Sequence, residues 1–154
     1  MKPLRTAATA ALALTVSTLL APAPALAAGQ PDRPSAAARQ HALTPAEQQV
    51  DTFFALYRRD ILNGNFGGAR RVRHLYLTPG LNGRLDEWAG THDDDPVIRA
   101  RNVPVTWTLE YGGSGAGHTT VILTEKFEDG STIEMWYQLR LSDLVISDLE
   151  NAPV

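Results

Sequence analysis

The residues best suited by type to do chemistry are His92-Asp93-Asp94-Asp95, a histidine followed by three carboxyls and then Pro96. A histidine beside carboxyls could bind a divalent cation or act as a general acid/base. The spacing speaks against a metal. Adjacent residues do not converge on one point, and the alternating aspartates and sixth-position glycine of a calcium loop are missing. Asp95 reads instead as the cap of a short turn with Pro96 at its first position. That leaves His92, Asp93 and Asp94 as the acid/base candidates should the domain be an enzyme, and no metal or other cofactor is expected.

Other chemistries find less support. His41, His74, His92 and His118 are too scattered for a zinc pattern, and neither His-Glu-x-x-His nor Gly-x-Ser-x-Gly occurs. Ser114 lies in Gly113-Ser114-Gly115, a hairpin loop and a poor setting for a nucleophile. Zero cysteines exclude thiolate chemistry, cysteine metal sites and disulfides. Arg58, Arg59, Arg70, Arg71 and Arg73 crowd the region around Gly67-Gly68, where a helix N-terminus could attract an anion. P-loop spacing is absent, so solvated helix faces are the simpler reading.

These residues need a scaffold, and the patterning describes one. Thr44-Pro45-Ala46-Glu47 is a capping box with proline at the first helical position. Val50, Phe53, Phe54, Tyr57, Ile61 and Leu62 follow at helical spacing up to Asn63-Gly64. Val72, Leu75 and Tyr76 mark a short second helix. Thr78 caps a third, with Leu81, Leu85 and Trp88 on one face and Gly90 at its end. From Val103 the period becomes 2: Val103, Val105, Trp107, Leu109 and Tyr111 form one face of a strand. A glycine-rich loop, Gly112 to Gly117, leads into a strand over 118–127. Asp129-Gly130 turns into a third carrying Ile133, Met135, Tyr137, Leu139 and Leu141, and 144–149 is the last. Helices first and a meander afterwards predict an α+β domain, N-terminal helices packed on a curved antiparallel sheet of about four strands.

The first 27 residues read as a secretory signal peptide. Lys2 and Arg5 form a positive start, Thr6 to Leu20 an uncharged apolar run, and Ala25-Leu26-Ala27 a cleavage site, so cleavage is expected after Ala27 and the protein outside the cell. The run is too short to span a bilayer. Residues 28–43, rich in Ala, Pro, Gln and Arg, read as a flexible leader, and 44–151 as the single domain. Loss of Lys2 and Arg5 leaves 12 basic residues against 17 acidic ones, which disfavours nucleic acid or an anionic membrane as partner.

Tyr76-Leu77-Thr78-Pro79, Leu81 to Leu85, Asp94-Asp95-Pro96-Val97-Ile98 and the closing strands, Trp136 to Leu139 and Ile146 to Leu149, give the chain its resemblance. It resembles the nuclear transport factor 2-like superfamily, and within it an uncharacterised family of exported bacterial domains; Leu144 stands where such domains often place a Gly and a Trp. The resemblance covers residues 45 to 150 and implies a cone-shaped domain with a long first helix against a bent sheet. That superfamily hosts enzymes, carriers and interaction modules, so fold alone selects no function.

A pocket, in such an arrangement, lies between the first helix and the sheet, lined by Tyr57, Trp88, Trp107, Tyr111, Met135 and Tyr137, aromatics equally able to fill a core. On the other sheet face Ile122 and Trp136 stand among short polar residues, the make-up of a partner or homodimer surface. The expectation is a secreted, non-enzymatic domain binding a small molecule or a protein. The rival is a pocket enzyme of proton-transfer or hydrolytic chemistry, with a His or Asp at the cavity mouth.

Overall fold

Thr44 and Glu47 set the start of the first helix. In the computed structural model, which describes residues 42–151, the Glu47 N–H donates to Thr44 Oγ1 at 3.2 Å and the Thr44 N–H to Glu47 Oε2 at 2.7 Å. Each satisfies a backbone donor that no helical carbonyl can reach. The expected signal peptide and all but the last two residues of the expected leader lie outside the described residues. Helix α1 runs Pro45–Leu62 and buries Val50, Phe53, Phe54 and Tyr57. Leu62, expected on the same stripe, is 54% exposed. It follows Ile61 by one residue, about 100° further round the helix, and so leaves the buried face.

Gly64 ends α1 in the left-handed region at φ 66°, and α2 follows as Phe66–Tyr76. Asn65 caps it, accepting from the Gly68 N–H at 3.0 Å. A Cβ on Gly68 would lie 2.2 Å from Asn65 Nδ2 and 2.5 Å from Asp60 Oδ2, so this cap requires glycine. Leu75 points outward at 77% exposure, contrary to its expected inward role, while Ala69, Val72 and Arg73 turn in. Thr78 caps α3, Pro79–Ala89, through the Leu81 N–H.

A polar knot joins α2 to α3. Buried Arg73 donates to Asn82 Oδ1 (3.2 Å), the Asn82 carbonyl (2.9 Å) and Asp86 Oδ1 (2.7 Å). Asn82 Nδ2 lies within bonding reach of the carbonyls of Arg73, Leu77 and Thr78. The same turn meets the sheet where the Thr78 N–H donates to the Ile146 carbonyl at 2.9 Å. Arg73 is thus structural rather than one of a solvated row.

Strands β1 (Thr106–Gly115), β2 (His118–Lys126), β3 (Thr132–Arg140) and β4 (Ile146–Asn151) form one antiparallel meander in sequence order. The helices and the sheet make an α+β fold, as the change of period implies. β1 is displaced from its expected span: it starts at Thr106 and takes in Gly112 to Gly115, with a bulge between Tyr111 and Gly113. Only Ala116-Gly117 remains as the turn, both at positive φ. Val105 and Tyr111, expected to face inward, are 52% and 53% exposed, since one precedes the ladder and the other abuts the bulge. Leu144 adopts φ 57° in the last turn, a conformation that glycine takes without steric cost.

The inner face carries Thr119, Val121, Leu123 and Glu125 from β2 and Met135, Tyr137 and Leu139 from β3. Phe53 is the centre of the interior, with its ring centroid 5.9 Å from those of Tyr57 and Tyr76 and 6.1 Å from that of Tyr137. Replacing Asn82 by Ala should cost about 1–3 kcal/mol, since it strips buried Arg73 of a partner. Urea unfolding of the two proteins checks this, with Asn82→Ala expected to keep its helix content and unfold at lower denaturant.

Candidate functional site

The connection between α3 and β1 brings the chemistry inside. Asp95 closes a turn as its sequence suggests: the N–H groups of Val97 and Ile98 both donate to its Oδ1 at 2.9 Å. Its other oxygen has a second task that the capping pattern does not reveal, accepting from the Tyr57 hydroxyl at 2.9 Å. The turn is further tied by Arg99 N–H to the Asp95 carbonyl (2.8 Å) and Asp95 N–H to that of Ala100 (3.1 Å). Val97 and Ile98 are fully buried, and Arg99 is held at φ 60°. A non-glycine residue there stores on the order of 1–3 kcal/mol of strain, and such residues gather at functional sites.

Around this turn the interior is polar without being satisfied. Among the described residues, the buried side-chain atoms with no hydrogen-bond partner are Arg99 Nε, both Glu125 carboxyl oxygens and the Tyr137 hydroxyl. Glu125 and Tyr137 are both 0% exposed. Burial, then the charge of Asp95, pushes the Glu125 carboxyl up to about 9, so it is a neutral acid at pH 7. Tyr137 is raised by burial, then by Glu125, Tyr57 and Asp95, against a lowering by Arg99. Tyr57 is raised by burial and by the charge and hydrogen bond of Asp95. Burial lowers Arg99, opposed by Tyr137 and Asp95. These mutual influences mark the five groups as one electrostatic cluster.

A cleft of about 190 Å³ between the helices and the Asp95 turn reaches this cluster, with Tyr57, Asp95, Arg73 and Asp86 on its wall and Phe66 beside it. Neither this cleft nor a wider concavity of about 630 Å³, bordered by Leu62, Arg101, Val103 and Val105, is lined by Arg99, Glu125 or Tyr137. The cleft shares Tyr57 and Asp95 with the cluster, and on that ground the two together form the candidate site.

The other acid/base candidates lie outside. His92 is exposed, stacks on Trp88 at 4.0 Å and has Nδ1 2.8 Å from the Trp88 carbonyl. The Asp93 and Asp94 side chains, 87% and 39% exposed, pair with Arg101 at 3.0 and 3.4 Å. Of that run only Asp95 enters the cleft. No group of three or more His, Cys, Asp or Glu among the described residues is arranged to hold a metal.

The pocket candidates divide. Tyr57 borders the cleft, and Tyr137 offers its hydroxyl to the cluster, while fully buried Met135 is packed into the core. Trp88, half-buried, bears the Arg99 guanidinium 4.2 Å from its ring. Trp107 packs edge-on against Phe54 at 5.1 Å and donates to Asp51 at 2.8 Å. Tyr111 bonds Ser114 on the surface and lines no interior space. On the far sheet face Ile122 is the partner of Trp136 in the ladder. Trp136 donates to Glu134 at 2.7 Å and borders a hollow of about 80 Å³ with Thr120 and Gln138. At the suspected anion position, Asn65 already caps α2 and Asp60 stands beside Gly68, which opposes a negative ligand.

No family model and no curated protein matches the chain. A solved structure of a protein of unknown function from Bacteroides thetaiotaomicron VPI-5482 is similar, with a TM-score of 0.54 and 19% identity over 68% of this chain and 88% of that one. The likeness is one of fold: three helices against a four-stranded antiparallel sheet.

Glu125 gives the cluster a pH signature. Between its ordinary value of 4.5 and about 9, the folded state binds more protons than the unfolded state, so stability falls as pH rises through that interval. Thermal melts at pH 5 and pH 8 check this: Glu125→Gln should shrink the loss between the two, and an equal loss in both proteins would remove Glu125 as its source.

Proposed function

We propose that the protein is an exported domain of the nuclear transport factor 2-like kind that binds a small molecule between its helices and the inner face of its sheet. One observation carries the reading: the unpartnered buried atoms of Arg99, Glu125 and Tyr137 belong to one electrostatic cluster with Asp95, whose side chain also lines a cleft. Unsatisfied buried polar groups each cost about 1–3 kcal/mol, and an interior meant only to pack has no use for them. None of the three lines the cleft, so a ligand would reach them only by parting the Tyr57–Asp95 pair. The far face with Ile122 and Trp136 offers a protein partner or second copy less, since the Trp136 N–H is already engaged by Glu134.

Proton-transfer chemistry is the second reading, and Asp95 supports it as a carboxyl that lines the cleft and is hydrogen-bonded to Tyr57. In that case the acid/base role belongs to Asp95 rather than to His92, Asp93 or Asp94.

Native mass spectrometry of full-length protein expressed in a bacterium and recovered from the medium tests the main reading. The expected result is a chain beginning at Ala28 that carries excess mass lost on denaturation and reduced in Tyr137→Phe. A bare chain whose residues 95–100 also show no NMR shift with any member of a fragment set would sink it.

A further inference from the structure

The outer face of the sheet, turned away from the interior cluster, carries a pattern of its own. One rung of the ladder crosses all four strands: Glu110 pairs with Ile122, Ile122 with Trp136 and Trp136 with Glu150. Residues directly opposite one another share a face, so this rung presents an isoleucine and a tryptophan between two carboxylates. Ile122 and Trp136 are half-buried, while Glu110 and Glu150 are exposed and have no side-chain partner among the described residues. The Trp136 N–H is engaged by Glu134, so what this side chain has left to offer is the face of its ring. Beside the ring lies the hollow of about 80 Å³, walled by Thr120, Gln138, Asp148 and Glu150. The nearby cations are spent or distant. Arg84 pairs with Asp148 and Arg140 with Asp143, and Lys126 stands at the far end of β2.

We propose that this face docks a basic peptide segment of a partner protein, with one Lys or Arg over the Trp136 ring and toward Glu150, an apolar residue against Ile122, and a second cation at Glu110. The ring quadrupole attracts a cation placed over it, and the Glu150 carboxylate at the hollow's edge adds to that attraction. The hollow is well below the roughly 300 Å³ of a small-molecule pocket, so it takes the end of a side chain rather than a whole ligand. Glu110 and Glu150 are three strand spacings apart, roughly 14 Å, which an extended chain covers in about four residues. Alternate residues of that chain face the sheet, so the segment reads basic-x-apolar-x-basic. A second copy of the domain fits less well, because a self-complementary contact sets the same patch against itself and brings carboxylates toward carboxylates. An acidic partner is repelled for the same reason, and a wholly apolar one would cover Glu110 and Glu150 without pairing them.

The blocked pentapeptide Lys-Ser-Leu-Ser-Lys and its charge-reversed counterpart Glu-Ser-Leu-Ser-Glu test this by NMR titration of the full-length chain. The basic peptide should shift the Trp136 indole N–H and the amides of Glu110, Ile122 and Glu150 while leaving those of residues 95–100 in place. Its affinity should fall about threefold or more when salt is raised to about 0.5 M, as screening of exposed charges requires. The acidic peptide should shift none of these signals. Glu110→Gln/Glu150→Gln, which keeps the shape of the face and removes its two charges, and Trp136→Leu should each weaken the basic peptide about fivefold or more. The glutamine pair occupies exposed positions and carries the test alone should Trp136→Leu fold poorly.

No shift with the basic peptide, equal shifts with the acidic one, or an affinity unchanged in Glu110→Gln/Glu150→Gln overturns the proposal. Shifts at the same amides that grow with protein concentration in the absence of peptide assign the face to a second copy and overturn it too. So does tetramethylammonium binding there as tightly as the basic peptide, which would make the face a site for a small cation. The interior site stands or falls separately, since its own test reads residues 95–100.

Discussion

Asp95 is the joint on which the interior is hung. One oxygen gathers the N–H groups of Val97 and Ile98, and the other takes the Tyr57 hydroxyl from the middle of α1. The first pair of bonds drives two fully buried apolar residues into the space between helices and sheet. The second fixes the helix at the position where Phe53 of its aromatic stripe meets Tyr76 and Tyr137. The left-handed Arg99 follows from the closure of the same turn, because a chain that returns from Asp95 to Ala100 in so few residues must reverse sharply. A small set of hydrogen bonds thus determines both how the connection packs and which polar groups end up behind it.

That arrangement explains why the interior tolerates polar atoms at all. The domain has no cysteine to staple it, and its stability comes from aromatic and aliphatic burial, chiefly Phe53, Phe54, Leu81, Leu85, Ile98, Leu123 and Tyr137. Outside the cluster, polar groups drawn into the fold are served: Asn82 and Arg73 bond each other and three helix-end carbonyls, and Trp107 finds Asp51. The contrast is informative. A chain that satisfies its buried guanidinium between α2 and α3, yet leaves Glu125 bare one residue from the end of β2, is not careless about polarity in general.

The architecture was legible from periodicity, because a capping box, a threonine cap and the Asp129-Gly130 turn are local chemistry that tertiary context had no reason to override. The edges of β1 were not. Gly112 to Gly115 read as loop, but the bulge lets glycine pair with β2 without placing a side chain against Thr120 and Ile122, whose atoms a Cβ on Gly112 would meet at 3.0 and 3.1 Å. The site was half legible. Tyr57 and Tyr137 stood out as inward aromatics with polar tips, and Asp95 as a cap, but a cap uses one oxygen and the sequence does not say where the other points. Glu125 left a signal that periodicity carries: it falls on the same parity as Val121 and Leu123, so a carboxyl was due to face the core. Arg99 left none, since a positive φ on arginine is imposed by the closure around it.

The balance of these terms bears on what holds the domain together in use. Folded domains of this size keep a net stability of roughly 5–15 kcal/mol, and a handful of unserved buried atoms at about 1–3 kcal/mol each consumes a sizeable share of that. Anything that binds the native state and not the unfolded chain returns stability in proportion to its concentration, about 2.7 kcal/mol at a hundred times its dissociation constant. A ligand that pairs with Glu125, Tyr137 and Arg99 would do so by removing penalties already present in the empty fold. If the domain binds a ligand as proposed, the atoms that weaken it would also be the ones that give that ligand its hold, and a variant that heals them with apolar side chains should gain stability and lose recognition together.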